Sequence, residues 1–385
     1  MVKIQKISEV CEIIMGQSPP SDSYNDKGIG VPFFQGKSEF GELNPTQKWY
    51  CSSPIRLAEV DDILISVRAP VGDVNIANVN CCIGRGLAAI RPDKTKLLTK
   101  FLFYVLKGKK REIENMGTGS TFKAISKKDL VNIKIPVPNI EIQKKIVNTF
   151  DKAQELIDKR KAQIEALDQL TQSVFLEMFG SIQGEKLPLS ELCEINPPKG
   201  EVADLKEDTI VSFIPMANVS ETGEIDLSET RNLGEVYKGF TNFKENDVLF
   251  AKITPCMENG KGAIAKNLTN EVGFGSTEFH VLRPKEEITS EWLYYLTTLP
   301  NFRQQAEKNM TGSAGQKRVP KQFFDKYKVN KPTIESQEEF KKVILKINSQ
   351  KEMLKKSLAI LDTNFQSLMQ RAFKGELFNG NHDRR

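Results

Sequence analysis

An α+β fold is predicted for this chain: two similar mixed α/β domains separated by two long antiparallel helices that form a coiled coil, with pseudo-two-fold symmetry. Three observations predict it. The sequence repeats itself once, each copy ends in a long amphipathic helix, and each copy begins with short β-branched and aromatic runs. Sliding the second half onto the first by 194 positions lays Phe340, Ile344, Ile347, Lys351, Leu354, Leu358, Leu361, Phe365, Leu368 and Ala372 over Ile146, Phe150, Ala153, Ile157, Arg160, Ile164, Leu167, Thr171, Val174 and Met178. Both series step alternately by four and three, the spacing of a coiled-coil seam. Two matching seams in one chain are expected to pack on each other, chiefly through Ile146, Phe150, Ile157, Ile164, Leu167 and Val174 from the first helix and Phe340, Ile344, Leu354, Leu358, Leu361 and Phe365 from the second. Lys351 and Arg160, polar in otherwise apolar seams, would fix the register.

The repeat extends beyond the helices, with an offset that grows as surface-loop insertions accumulate. Ser8–Ile13 matches Ser190–Ile195 at 182, Asp62–Ile65 matches Asp247–Phe250 at 185, and Phe101–Tyr104 matches Trp292–Tyr295 at 191. Thr118-Gly119-Ser120 matches Thr311-Gly312-Ser313 at 193, while Pro138, Gln143 and Gly180 meet Pro332, Gln337 and Gly375 at 194 to 195. So long a period marks a duplicated domain rather than a solenoid.

The elements follow in order. Residues 1–139 form the first domain, with strands at Val31–Phe34, Ile63–Val67, Val74–Ala77, Leu87–Ile90 and Val131–Ile135 and one helix from Leu98 to Met116. Residues 140–180 carry the first long helix, which Gly180 ends. The second domain, 181–334, repeats the plan with strands around Val211–Ile214, Val248–Ala251, Gly262–Ala265 and Phe279–Leu282 and a helix from Ser290 to about Met310. The second long helix occupies 335–375, and 376–385 is a tail. At 1.5 Å per residue, each helix of roughly 35 residues spans about 50 Å. Two inverted domains held at such a distance suit two half-sites on duplex DNA about one helical turn apart.

Composition sets bounds. The 385 residues are 39% hydrophobic and 27% charged, with a net charge of +5, ordinary values for a globular protein of two or three domains. No run of roughly 18 apolar residues could span a membrane, and the N-terminus lacks the apolar stretch of a signal peptide, so the cytoplasm is the expected location. Six cysteines without a C-x-x-C pair, and only two histidines, argue for reduced thiols and against a zinc site.

Motifs for covalent chemistry fail on inspection. Asn196-Pro197-Pro198 resembles the start of an adenine-methyltransferase tetrad, but Lys199 stands where a base-stacking aromatic is needed, and a Pro-rich turn explains the tripeptide. Gly36-Lys37-Ser38 lacks the glycine that a phosphate loop requires five residues earlier. The repeated Thr-Gly-Ser loops differ, since each follows a helix and joins flexible glycine to hydroxyls and a cation. Thr118, Ser120 and Lys123 in the first copy, and Thr311, Ser313, Gln316, Lys317 and Arg318 in the second, could meet phosphates and base edges. A helix cap followed by a turn is the structural alternative. Arg68 and Lys252, placed at matching positions just past a strand, could read a base edge, or be solvated strand-end charges. Gln35, Lys37, Lys238 and Lys261 are weaker candidates.

In this order, and twice over, the motifs resemble the type I restriction–modification DNA specificity (S) subunits over essentially the whole chain. The resemblance rests on Ile4–Ile13, Asp62–Gly72, the Thr-Gly-Ser loops, Ile135–Val147, Phe213–Val219 and the junction Pro332–Glu338. It implies that the two domains are target recognition domains, each reading half of a bipartite site in double-stranded DNA, and that the helices set the spacing. It also implies two methyltransferase (M) subunits docked on the scaffold and restriction (R) subunits beside them. S-adenosylmethionine, ATP and Mg would then belong to those partners, and this chain would hold no cofactor or metal and catalyse nothing. The alternative is a coiled-coil scaffold that bridges protein partners without reading DNA.

Overall fold

The computed structural model describes residues 3–118, 123–313 and 315–377. It separates into two compact units, Met1–Ala162 with Lys355–Arg385, and Gln163–Leu354. Each unit therefore combines one globular part with the nearer portions of both long helices.

In the first unit the central sheet is antiparallel, in the order Cys11–Met15, Leu87–Pro92, Ile63–Ser66, Val74–Ile76. Alternation along these strands sends side chains to two buried faces. Ile63, Ile65, Ala88 and Ile90 pack with Phe101, Leu102 and Val105 of the helix Thr99–Gly108 and with Ile146, Phe150, Phe365 and Met369 from the long helices. Leu64, Leu87 and Ala89 turn the other way, onto Phe34, Ala58, Cys81 and Ile83 of a second, five-stranded sheet.

The second unit repeats the plan. Its central sheet runs Cys193–Ile195, Phe279–Pro284, Val248–Ala251, Gly262–Ile264. Val248, Phe250 and Leu282 face Trp292, Leu293, Phe175 and Phe340, while Leu249, Ala251 and Val281 face Ile214 and Phe243 of a second, four-stranded sheet. Each second sheet holds one parallel pair, Val31–Phe34 with Cys81–Ile83 and Ile210–Ile214 with Val272–Gly275. A two-stranded ladder closes each copy, Lys3–Lys6 with Lys134–Val137 and Lys186–Pro188 with Lys328–Asn330.

Two buried polar devices recur. Gln143, fully buried, accepts a hydrogen bond from the Leu98 amide (2.8 Å) and donates to the Lys96 and Pro138 carbonyls (2.8 Å each). Gln337 does the same with the Thr289 amide (2.8 Å) and the Glu287 and Pro332 carbonyls (3.0 and 3.2 Å). Each glutamine ties the first turn of a long helix to the entry of the short helix beside it, satisfying backbone groups that burial would otherwise strand. Buried Asp62 grips Arg91 through two contacts of 2.9 Å, and buried Asp247 grips Arg283 at 2.7 and 2.8 Å.

Some expectations need correction. The helix expected from Leu98 to Met116 is two, Thr99–Gly108 and Lys110–Met116, parted where Gly108 weakens the helix. That expected from Ser290 is likewise broken into Ser290–Thr298 and Pro300–Lys308, because Pro300 donates no hydrogen bond and instead starts a new helix. The strand expected at Val131–Ile135 begins only at Lys134; a Ser126–Asp129 capping box makes Lys127–Val131 helical.

The long helices are Ile140–Phe179 and Ile334–Phe373. The named seam residues Ile146, Phe150, Ile157, Phe340, Ile344 and Phe365 are buried, whereas Ile164, Leu167, Val174, Leu354, Leu358 and Leu361 are half-buried. Near Phe179 the buried positions are Thr171, Phe175 and Phe179, four apart, and the expected Val174 and Met178 flank them. A straight α-helix drifts about 20° per heptad from a 3.5-residue repeat, which moves the buried stripe by one residue over this length. In the second unit Lys351 is 8% exposed and its ammonium lies 2.5 Å from Asp168, an ion pair between the two helices.

Candidate nucleic-acid interface

In both units the loop that follows the short helices folds back against the end of a central strand. In the first unit Thr118 and Ala124 exchange backbone hydrogen bonds of 3.0 Å, Arg68 bridges to Ala124, and the Ile125 amide donates to the Val67 carbonyl (3.0 Å). In the second, Thr311 and Arg318 exchange bonds of 3.0 and 2.8 Å, Ile253 bridges to Arg318, and the Val319 amide donates to the Lys252 carbonyl (2.8 Å). The fold thus gathers Arg68, Thr118 and Lys123 in one unit, and Lys252, Thr311, Lys317 and Arg318 in the other. Ser120 lies outside the described residues. Gly312 and Gly315 have φ of +120° and +80°, conformations that side-chain-bearing residues rarely adopt; the Thr-Gly-Ser turn of this copy uses its glycines for backbone shape.

These bonds correct the register between the copies. The amide of Val67 donates to Gly86, and that of Lys252 donates to Glu278, both at 2.9 Å. Lys252 therefore corresponds to Val67, not to Arg68, whose counterpart is Ile253. By the same ladder Glu278 corresponds to Gly86 and Arg318 to Ala124. Three charged residues in the second unit stand where the first has valine, glycine and alanine.

The side chains divide by environment. Gln35, Arg68, Thr118, Lys123, Lys238, Thr311, Ser313, Gln316 and Lys317 are exposed. Lys252 is half-buried, and burial lowers the pKa of its ammonium while Glu278 opposes that shift. Arg318 is held in a fork: its Nε and Nη2 donate to Glu278 at 2.9 and 2.8 Å, and Nη1 donates to the Gln316 carbonyl at 3.1 Å. The hydrogen bonds from Arg318 hold the Glu278 carboxyl below its usual range against partial burial. Lys37 pairs with Asp73 at 2.8 Å, beside Lys110 on the same carboxylate at 2.6 Å. Lys261 donates to the Met216 carbonyl at 3.1 Å, bracing the turn after the second sheet's Ile210–Ile214 strand. Glu278 was not singled out from the sequence, because an isolated acidic residue carries no signal for an anionic partner. Placing Lys252 opposite Val67 at the offset of 185 would have shown the local change of character.

The Asn196 tripeptide is engaged elsewhere. Asn196 accepts from the Val281 amide (3.0 Å), and its carboxamide nitrogen lies 3.1 Å from His280 Nδ1. His280 Nε2 lies 2.8 Å from the Val319 carbonyl. A carbonyl can only accept, so Nε2 carries the proton and Nδ1 accepts from Asn196. Burial pushes His280 down to about 4, keeping the ring neutral. This network ties the end of the Cys193–Ile195 strand to Val319, just after Arg318, and both polar ends of the Asn196 side chain are occupied. All six cysteines are free, four buried and two half-buried. Among the described residues no cluster of three or more His, Cys, Asp or Glu is arranged to hold a metal ion, and no helix is long and apolar enough to cross a membrane.

Residues 1–166 and 184–361 each match the family described as the type I restriction modification DNA specificity domain. A protein of Methanocaldococcus jannaschii provisionally named the MjaX type I restriction enzyme specificity subunit is 54% identical over 157 residues, covering 40% of this chain and 37% of that protein. The EcoEI type I restriction enzyme specificity subunit of Escherichia coli is 44% identical over 151 residues, covering 38% of this chain and 25% of the relative. The chain thus spans well under half the length of these curated relatives. The crystal structure of a type I restriction–modification system S subunit from M. genitalium is similar in fold over 97% of this chain and 96% of that one, with a TM-score of 0.51 and 16% identity.

Proposed function

The chain belongs to the type I restriction modification DNA specificity family, one domain of the family in each half, and from that premise we propose that it is the non-catalytic, DNA-reading subunit of a type I restriction–modification complex. Each domain reads one half of a bipartite site in double-stranded DNA. The long helices act as an antiparallel pair that sets the spacing between half-sites and docks two methyltransferase subunits, with restriction subunits beside them in the cytoplasm. S-adenosylmethionine, ATP and Mg are used by those partners.

One observation carries the reading: a loop rich in hydroxyls and cations is built against a strand end in both units by the same backbone bonds, yet its side chains differ between them. Shared frames with different contacting residues are what two readers of two sequences require. Arg68, Thr118, Ser120 and Lys123 are assigned to one half-site, and Lys252, Thr311, Ser313, Gln316, Lys317 and Arg318 to the other. Gln35, Lys37, Lys238 and Lys261 flank them; Lys37 and Lys261 would first have to release Asp73 and Met216.

Selection of random duplex DNA by the chain with its methyltransferase partner tests this. Two short, different motifs separated by a fixed gap are expected. Capture of the methyltransferase without any sequence preference would instead identify a protein scaffold.

A further inference from the structure

We propose that Arg318, held in place by Glu278, reads a guanine in the half-site of the second unit, and that the first unit has no such reader at the equivalent position. The inference rests on the DNA-reading function above and deepens it to one residue and one base.

The ion pair is not needed to close the loop. The first unit closes its own loop with the same backbone exchange, Thr118 with Ala124, where alanine and glycine replace Arg318 and Glu278. Nor could the first unit carry the brace, because a Cβ at Gly86 would lie 2.3 Å from the Gln35 carbonyl oxygen. The pair is an addition to a frame that stands without it.

Its geometry suits a base edge. Glu278 takes the Nε–Nη2 side of the guanidinium, and the Gln316 carbonyl engages Nη1. Nη1 and Nη2 each bear two hydrogens, so each retains a donor, and the side chain is 43% exposed. A planar fork with two remaining donors matches the O6 and N7 acceptors of guanine in the major groove. Bracing the fork in advance removes rotamer entropy that binding would otherwise cost. The carboxylate also cancels the charge that would draw this arginine to a phosphate, which leaves the phosphates to Lys252 and Lys317 and gives Arg318 to the bases.

The test is a selection on random duplex DNA by the full chain with its methyltransferase partner, comparing the native chain with Arg318→Ala, Arg318→Lys and Glu278→Gln. The native chain should show guanine at one position of one half-site. Arg318→Ala and Arg318→Lys should lower that preference roughly 5- to 150-fold and leave every other position unchanged. Glu278→Gln should weaken the same position by less. Arg318→Lys keeps a cation beside Glu278, so it supplies the answer if Arg318→Ala does not fold. An unchanged motif in the arginine variants, or an equal loss at all positions of the half-site, overturns the proposal. A native chain with no bipartite motif overturns the parent reading instead.

Discussion

The two units share a frame and part company at one edge. In the frame, Asp62–Arg91 and Asp247–Arg283, Gln143 and Gln337, and the two-faced central sheets are the same device built twice. At the edge, Val67, Gly86 and Ala124 in one unit face Lys252, Glu278 and Arg318 in the other. Buried hydrogen-bonded groups resist change because losing one partner strands the other at full desolvation cost, whereas at the strand end the backbone bonds alone close the loop, so its side chains can differ between the units. The difference teaches where this architecture can change its chemistry without rebuilding itself.

Breaking the frame should cost most. Asp62→Ala leaves Arg91 only its more exposed partners Glu12 and Glu59 and frees the Glu59 amide, while Asp247→Ala leaves Arg283 only Glu201 and frees the Lys244 amide. Each should destabilise its own unit by roughly 2–4 kcal/mol, measured by chemical denaturation with hydrogen exchange to locate the loss. Unequal losses would show that the two frames are less alike than their bonds suggest. Acid should then separate the units. His280 has no counterpart in the first unit, where Ala88 occupies its place in the sheet. Its folded pKa of about 4 lies below the unfolded value of about 6.5, so the unfolded state binds the extra proton as pH falls between those values. Stability of the second unit should be complete above about pH 6.5 and fall by at most roughly 3 kcal/mol by pH 4. A thermal-unfolding series in which His280→Gln keeps the native slope would remove that assignment.

Smaller effects sharpen the comparison. Gln143→Ala and Gln337→Ala should each cost about 1–3 kcal/mol, since each strands buried backbone groups at a helix junction. Amide exchange at Leu98 and Thr289 should rise selectively. Lys123→Ala and Lys317→Ala should leave stability within about 0.5 kcal/mol while lowering DNA affinity and reducing the slope of affinity against salt by about 1. An unchanged salt slope would take those lysines off the phosphate backbone.

Much of the frame was legible because it rests on periodicity and on order. The duplicated core strands, the long helices and the junction glutamines stand where spacing put them. Legibility failed where a single residue overrides a pattern. Pro300 restarts a helix inside an apolar run, and the Ser126 capping box turns a β-branched stretch helical. Phe175 and Phe179 were missed because a strict heptad was extended along a helix that drifts from it. At the candidate site, composition identified the loops but not their wiring. That Arg318 is committed to Glu278, forty positions away, depends on a pairing that no local window contains.

One compact unit is a single stretch of chain and the other is not, and that bears on biosynthesis. Gln163–Leu354 is continuous and can assemble as soon as it leaves the ribosome. The other unit needs Phe365, Met369 and Ala372 to complete its core, so its amino-terminal portion must wait through the synthesis of nearly 200 further residues. Within that interval Phe150 and Tyr104 lack the aromatic neighbour that Phe365 later provides, and the core of that unit stays incomplete until Ala372 has been made.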